Sequence, residues 1–378
     1  MPLLPRLARL LRSHGELRTG SGLASGVVAT MLATLCLLGV LAFHFPEYLT
    51  TPQLRAVYPV AWLRELLYWA LVVAGALALF GIVTARVRWL PALAFALVAL
   101  AVALGGHRVP GRDVAGGTPY LGLDWFVLDL LGSALVFVVL EKLWPLRPAQ
   151  PVFRTEWQTD LQYFVVTHLG IGVLLLAVNL LVHPLVAWLA DDGVQARVRE
   201  LPFVVALLAL MLVADLVQYA VHRAYHEVPW LWRFHAVHHS VETMDWLAGS
   251  RLHLFEVVVT RALVLVPIYA LGFDKAVIDA YIVVAGFQAV LNHANVNLRV
   301  GPLRHVFVTP AFHHWHHAQD CEAIDRNYAA HFAFIDRLFG TAVVAQRTWP
   351  ERYGVVGNDV PRGFWRQLVH PFMARRGG

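Results

Sequence analysis

The sequence predicts an all-α fold, a polytopic bundle of membrane helices, and three observations support it. Hydrophobic residues make up 58% of the 378 residues and charged residues 15%, whereas soluble domains average roughly 45–50% and 25%. The mean hydropathy is +0.58. Several apolar runs have the roughly 20 residues that a helix needs to cross a bilayer. The net charge of +5 is spread along the chain, which favours anionic lipid headgroups over nucleic acid as its partner.

The first twenty residues predict a basic helix that lies on the membrane surface. Four arginines face one side, with leucines at helical spacing on the other: Arg6, Arg9, Arg12 and Arg18. The next run, residues 22–45, is long enough to span and has no A-x-A-like cleavage site. We therefore expect a retained helix rather than a signal peptide.

Further apolar runs predict five more crossings. Together with residues 22–45 they make six before the first cluster of histidines, which begins at His222. The five runs are residues 66–84, 90–105, 121–140, 164–189 and 202–221. The run 121–140 is the least typical because it contains Asp124 and Asp129. After the cluster, residues 254–271 and 276–291 predict two tilted spans or a hairpin that enters halfway. In either case the chain returns to the side that it left.

The bias of basic residues predicts the orientation. With the N-terminus inside, nine Arg and Lys residues fall in cytoplasmic segments and six in the opposite loops. We expect a multi-pass protein of a bacterial inner membrane with its N-terminus and histidine clusters in the cytoplasm. Prolines near residue 150 suggest a boundary between an N-terminal membrane region (1–150) and the part that carries most of the histidines (151–345), which a C-terminal tail (346–378) follows.

Histidine is the anomaly of the composition, because 13 of the 19 histidines lie between His222 and His331. Asp215, Tyr219, His222 and His226 step by four, three and four, so they share one stripe of a helix. Two H-x-x-H-H motifs follow, each placing three imidazoles on one helical face: His235, His238 and His239, and later His313, His316 and His317. This spacing suits a metal ion. A further histidine, His293, follows the apolar run 276–291.

Nine imidazoles are too many for one ion, because zinc takes four ligands and non-heme iron two or three histidines. The pattern therefore predicts a dinuclear metal site in a helical cap that faces the cytosol. Adventitious metal binding by a histidine-rich tract is the weaker reading. The sequence has no Gly-x-Ser-x-Gly elbow, P-loop or dinucleotide fingerprint. Since the sequence has no recognisable cofactor-binding module, any electrons that the site needs must come from a separate protein.

The same residues resemble the fatty acid hydroxylase/sterol desaturase superfamily across roughly residues 155–345. The resemblance rests on five motifs in order: Asp215 to His226, His235-x-x-His238-His239-Ser240, Arg251-x-His253-x-x-Glu256, His293-x-Asn295, and Thr309-Pro310-x-x-His313-x-x-His316-His317, closed by Asn327-Tyr328 and residues 335–341. Leu254, Ala329 and Ile335 depart from the usual pattern without removing a histidine.

The resemblance implies an integral-membrane enzyme with two iron ions that uses O2 and two electrons to hydroxylate a lipid. The metal ligands it implies are His222, His226, His235, His238, His239, His293, His313, His316 and His317. Residues expected around these ligands are Asp215, Tyr219, His253, Glu256, Asn295, His331 and Asp336. We predict that Asp215 accepts a hydrogen bond from a liganding histidine, because an acid near the membrane end of a helix needs a partner.

Three alternatives stay open. A lipid desaturase would use the same scaffold. A metal transporter or metal chaperone would also bind metal, although transport ligands are expected within the spans. A zinc hydrolase is the third, because zinc outcompetes iron at many nitrogen sites.

Overall fold

The computed structural model describes residues 23–56, 58–84, 88–111, 120–298, 300–343, 349–357 and 360–373. It is 71% helical, and the described residues contain two isolated β-bridges but no strand. The prediction of an all-α membrane fold is confirmed. The surface helix predicted over residues 1–20 lies outside the described residues.

The described residues form sixteen α-helices, which we number in chain order. They are α1 (Leu23–His44), α2 (Pro46–Leu49), α3 (Pro52–Arg55), α4 (Val60–Thr84), α5 (Trp89–Ala103), α6 (Leu123–Leu143), α7 (Trp157–Leu169), α8 (Ile171–Leu189), α9 (Asp192–Arg199), α10 (Phe203–Glu227), α11 (Pro229–His239), α12 (Leu254–Leu271), α13 (Lys275–His293), α14 (Pro310–His316), α15 (Ala333–Leu338) and α16 (Phe364–Val369).

Six helices in the described part of the chain are long and apolar enough to cross a membrane. They are α4, α5 with its 3₁₀ extension to Arg108, α6, α10, α12 and α13. The acid-containing run after residue 121 is among them, and the two segments after the first histidine cluster are both full-length helices. The chain is a multi-pass membrane protein.

Two predicted spans are not among these six. The run 22–45 forms α1, but its apolar stretch Val28–His44 is shorter than the six candidate spans. Residues 164–189 were expected to form a single helix, but α7 and α8 meet at Gly170 and are bent by 62°. Glycine is a common cause of such a break, because it weakens the helix and permits other backbone conformations. The pair is either a broken span or a re-entrant loop.

The chain divides into two compact units, of which the first comprises the described part of residues 1–131 together with residues 168–173. In it, α1, α4 and α5 pack around small buried side chains, among them Ala29, Ala33, Ala74, Ala78 and Ala101. Small residues let membrane helices approach closely. At Gly81 a β-carbon would lie 2.7 Å from Cγ of Pro91, so the approach there requires glycine.

The second unit comprises residues 132–167 and the described part of 174–378. Helix α10 is its centre and packs against α11, α12, α13 and α15. The short helices α11 and α14 lie beside the C-terminal ends of α10 and α13, and α14 packs on α13. Four segments that carry histidines therefore meet in one place. The domain boundaries predicted at residues 150 and 345 stay predictions.

Candidate metal centre

The structure brings all nine predicted histidines together in two groups. Within each group the nitrogen atoms that could bind an ion all lie within 4.8 Å of one another. The first histidine group consists of His222, His226, His235, His239 and His316. The second consists of His238, His293, His313 and His317. The imidazoles are thus neither scattered nor directed at solvent.

Local sequence explains how each helix presents its rings. His222 and His226 lie one turn apart at the C-terminal end of α10. Pro229 starts α11 and so ends the preceding helix. The hydroxyl of Thr309 caps α14 by accepting from the backbone N–H of Phe312. These signals place both H-x-x-H-H motifs on short helices of the cap.

Each H-x-x-H-H motif contributes to both groups. In α11 the i and i+4 rings, His235 and His239, join the first group, while His238 joins the second. The second motif is reversed: His313 and His317 join the second group, while His316 joins the first. The two groups are therefore linked, because each motif has rings in both.

The distances between ring nitrogens match those between neighbouring ligands of one ion. In the first group, Nε2 of His235 lies 3.0 Å from Nε2 of His222 and 3.1 Å from Nε2 of His239. In the second, Nε2 of His293 lies 3.2 Å from that of His238 and 3.0 Å from that of His313. Two nitrogens that bind one ion at about 2.1 Å would be about 3.0–3.4 Å apart.

Hydrogen bonds fix which nitrogen of several rings carries the proton. Nδ1 donates to the carbonyl oxygen of Tyr328 from His222 (2.7 Å), of Ala289 from His293 (2.7 Å) and of Arg251 from His238 (3.1 Å). Because a carbonyl oxygen only accepts, Nδ1 of each neutral ring is protonated and Nε2 presents a lone pair. Such outer hydrogen bonds are typical of metal-binding histidines.

The lone pairs of these rings face one another. His238 and His293 both present an unprotonated Nε2, at 3.2 Å. Burial lowers the pKa of His238 well below its ordinary value, as it does for His235, His239, His313, His316 and His317, so added protons do not relieve the contact. Nε2 of His226 and of His316 is buried without a hydrogen-bond partner. A cation in each group would satisfy these atoms, so the residues fit two metal ions.

Of the seven residues predicted to surround the ligands, Glu256 hydrogen-bonds directly to a ring of the two groups. Its Oε1 accepts from Nδ1 of His235 at 2.7 Å, and both side chains are buried. The ring of Tyr225 stacks on the other side of His235, with centroids 5.7 Å apart. His235 is thereby fixed in position and in tautomer.

The hydrogen bond predicted from a liganding ring to Asp215 is not what the structure contains. The carboxylate accepts instead from the backbone N–H groups of Ala330, His331 and Phe332 at 2.6–3.0 Å. Asp336 likewise accepts from the N–H groups of Tyr328 and Ala329, both at 2.8 Å. The two acids hold the loop whose Tyr328 carbonyl receives His222, so they contact the site through the backbone.

The other predicted residues bond elsewhere. Tyr219 pairs with Thr341, Asn295 with the backbone of Arg147, His331 with Gln288, and His253 with the carbonyl of Leu368. His314, which lies off the motif face, bonds Tyr353 and Ala294. Any role of these residues in orienting ligands stays a prediction.

Sequence reasoning missed most partners of the rings. They are the carbonyl groups of Arg251, Ala289, Arg326 and Tyr328, and the carboxylate of Asp325, which lies 3.0 Å from Nδ1 of His226. Of these partners, only the Ala289 carbonyl could be expected from the sequence, because Ala289 precedes His293 by four residues in the same helix. The remaining carbonyl groups belong to distant segments, where residue type says nothing about them.

Comparison with known proteins finds one matching family model and several relatives. Residues 207–341 match the family model for fatty acid hydroxylase. The chain is 29% identical to the ornithine lipid hydroxylase OlsE of Rhizobium tropici over 68% of its own length and 77% of that protein. It is 26% identical to mouse cholesterol 25-hydroxylase over 61% of this chain and 78% of that protein. It is 28% identical to the alkylglycerol monooxygenase of Caenorhabditis elegans over 38% of this chain, but this match spans only 28% of that protein.

No solved structure matches the chain. The helical fold and the paired histidine groups define a membrane protein with a histidine-rich site that could hold metal. The family-model match and the relatives support the fatty acid hydroxylase superfamily that the sequence motifs predict.

Replacing Glu256 tests whether the carboxylate matters to the first histidine group. We expect Glu256→Ala to lower metal affinity of that group by roughly 10- to 100-fold, the usual cost of losing an outer partner of a metal ligand. Glu256→Gln keeps an oxygen acceptor for Nδ1 of His235 and should cost less. Metal titration of the two purified variants measures both. Equal affinity in Glu256→Ala and the parent would contradict the assignment.

Proposed function

We propose that this chain is a membrane-bound di-iron monooxygenase that hydroxylates an unactivated C–H bond of a lipid. The observation that carries the proposal is the pair of buried groups in which neutral imidazoles direct lone pairs at a common point. The balanced reaction joins one C–H bond, O2, two electrons and two protons to give an alcohol and water. O2 use accords with the names of the relatives, which are hydroxylases and monooxygenases.

The chain would hold one ion with each histidine group. Five imidazoles in the first group favour iron over structural zinc, which is almost always four-coordinate. Once bound, the pair of ions would supply the activation of O2 and the oxidation of the C–H bond.

The protein's own contribution is orientation and exclusion of water. The side chains of His235, His238 and His317 are 0–4% exposed. Backbone carbonyl groups hold four of the rings, those of His222, His238, His293 and His316, in one tautomer, so their lone pairs are preorganised before any ion binds. A buried site also protects a reactive centre from side reactions with solvent.

The substrate we propose is a bilayer lipid, held so that one carbon reaches the metal pair. Curated relatives are named for ornithine lipid, alkylglycerol and cholesterol, which differ in headgroup but share long apolar structure. We further propose that a separate electron-transfer protein supplies the two electrons, and that the histidine groups face the cytoplasm of a bacterial inner membrane. The nine-to-six bias of basic residues supports that orientation.

Purified protein in lipid nanodiscs tests the function. We expect about two iron ions per chain, since each group offers at least four nitrogen ligands, and O2 uptake that requires a reductant. Lipids from a deletion strain complemented with the parent should gain one oxygen atom relative to those complemented with His238→Ala. A product lacking two hydrogens would instead identify a desaturase. Absence of O2 uptake by the iron-loaded protein would contradict both.

A further inference from the structure

The C-terminal part of the described chain exposes large apolar side chains. Helix α16 and the 3₁₀ turn after it, residues 364–373, form what we call the C-terminal apolar segment. Trp365 is 72% exposed, Phe372 70%, Met373 58% and Val369 46%. A water-facing tail of ten residues rarely concentrates so many apolar side chains, so this segment needs a partner.

One end of the segment lies against the start of a membrane helix. The ring of Phe372 is 5.4 Å from that of Phe234, which stacks at 4.4 Å on Phe255. Phe255 is in the first turn of α12, a candidate span. Trp230, 56% exposed, lies 6.0 Å from the same Phe255 ring. Rings around the first turn of a span lie at the level where a bilayer meets water, which aromatic residues favour.

The other end lies against α7. Phe364 packs edge-on against Tyr163, with centroids 4.7 Å apart. A cavity of about 190 Å³ opens between the two helices. It is lined by Leu161, Gln162, Val165, Val166, Phe364 and Trp365. The lining is apolar except for Gln162, which suits a hydrocarbon chain and not a polar solute.

Basic groups accompany the apolar side chains. Arg366 is exposed on α16, and Arg362, which pairs with Glu242, precedes the helix. Arg233 donates to the carbonyl groups of Met373 and His370. Arginine next to exposed tryptophan and phenylalanine is the composition of a peptide at the surface of an anionic membrane.

We propose that residues 364–373 form an interfacial membrane element, which places Trp365, Phe372 and Met373 at the boundary between headgroups and acyl chains beside α7 and α12. Its partner is the bilayer lipid itself. The inference rests on exposure and on contact with the spans, so it holds whatever reaction the metal centre performs.

The C-terminal apolar segment also forms hydrogen bonds to the residue that follows α11 and to the residue that precedes α12. Nε2 of Gln367 donates to the hydroxyl of Ser240 at 3.2 Å, directly after His239, and the carbonyl of Leu368 accepts from Nε2 of His253 at 3.0 Å. The segment is thereby bonded to Ser240, the neighbour of His239 in the first histidine group, and to His253.

Spin labelling of the full chain in anionic nanodiscs tests the proposal. A label at Cys321, which is exposed, serves as the water-phase control. The other cysteine, Cys36, is buried. In a Cys321→Ser background, labels are attached at Trp365→Cys and, separately, at Phe372→Cys. Both original side chains are largely exposed, so these changes should leave the fold intact; unchanged metal content of each variant checks this.

Collision with O2 is then compared with collision with a water-soluble nickel chelate. We expect both labels in the C-terminal apolar segment to collide several-fold more with O2 relative to nickel than the label at Cys321 does. Labels at 365 and 372 that are as accessible to nickel as the label at Cys321 would place the segment in water. Water-phase accessibility at either position overturns the proposal.

Discussion

Replacing His313 by alanine should remove the ion of the second histidine group and abolish lipid hydroxylation. Nε2 of His313 lies 3.0 Å from Nε2 of His293 and 3.1 Å from that of His317, so its loss leaves three rings. Outer partners of metal ligands already cost about 10- to 100-fold in affinity, and a ligand itself should cost more than about 100-fold. Elemental analysis should show about one ion per chain instead of about two.

His314 provides a matched control on the same helix. It is also buried, but its ring bonds the hydroxyl of Tyr353 at 2.8 Å and the carbonyl of Ala294 at 3.1 Å. His314→Ala should keep both ions and lose about 1–3 kcal/mol of stability, the cost of buried groups left without partners. Equal metal loss in the two variants, or two ions retained in His313→Ala, would refute the assignment of His313.

The membership of the site was predictable because its chemistry is local. The spacing of His235, His238 and His239 fixes which rings share a helical face, whatever surrounds the helix. Length and hydropathy located the spans for a similar reason, since a bilayer imposes one length on every crossing. Both inferences need only the neighbouring residues of the chain.

The division of ligands between the two groups was not predictable. His238 lies within three residues of His235 yet belongs to the other group, and this depends on where α13 and α10 end relative to α11. Asp215 illustrates the same limit. Its position near the membrane correctly indicated a buried partner, but a sequence pattern distinguishes side chains and not the backbone N–H groups that it caps.

Removing the guanidinium of Arg251 should destabilise the second unit strongly. Arg251 is fully buried and pairs with Asp160 and Glu156, and Asp160 also pairs with Arg154, which reaches Asp245. Two cations thus pair with three anions. Arg251→Ala leaves Glu156 without its cation and Asp160 with Arg154 alone, and breaking a buried pair typically costs about 3–5 kcal/mol. We expect a large fall in the thermal unfolding temperature in detergent.

Arg362→Ala is the matched control, because its pair with Glu242 is exposed at 63% and 45% of the two side chains. Exposed pairs contribute about 0–1 kcal/mol, so its unfolding temperature should hardly change. Arg251→Ala should also weaken the second histidine group, since the Arg251 carbonyl accepts from Nδ1 of His238 and the backbone there is held by the buried ion pairs. Similar unfolding temperatures for the two variants would show that this network contributes no more than a surface contact.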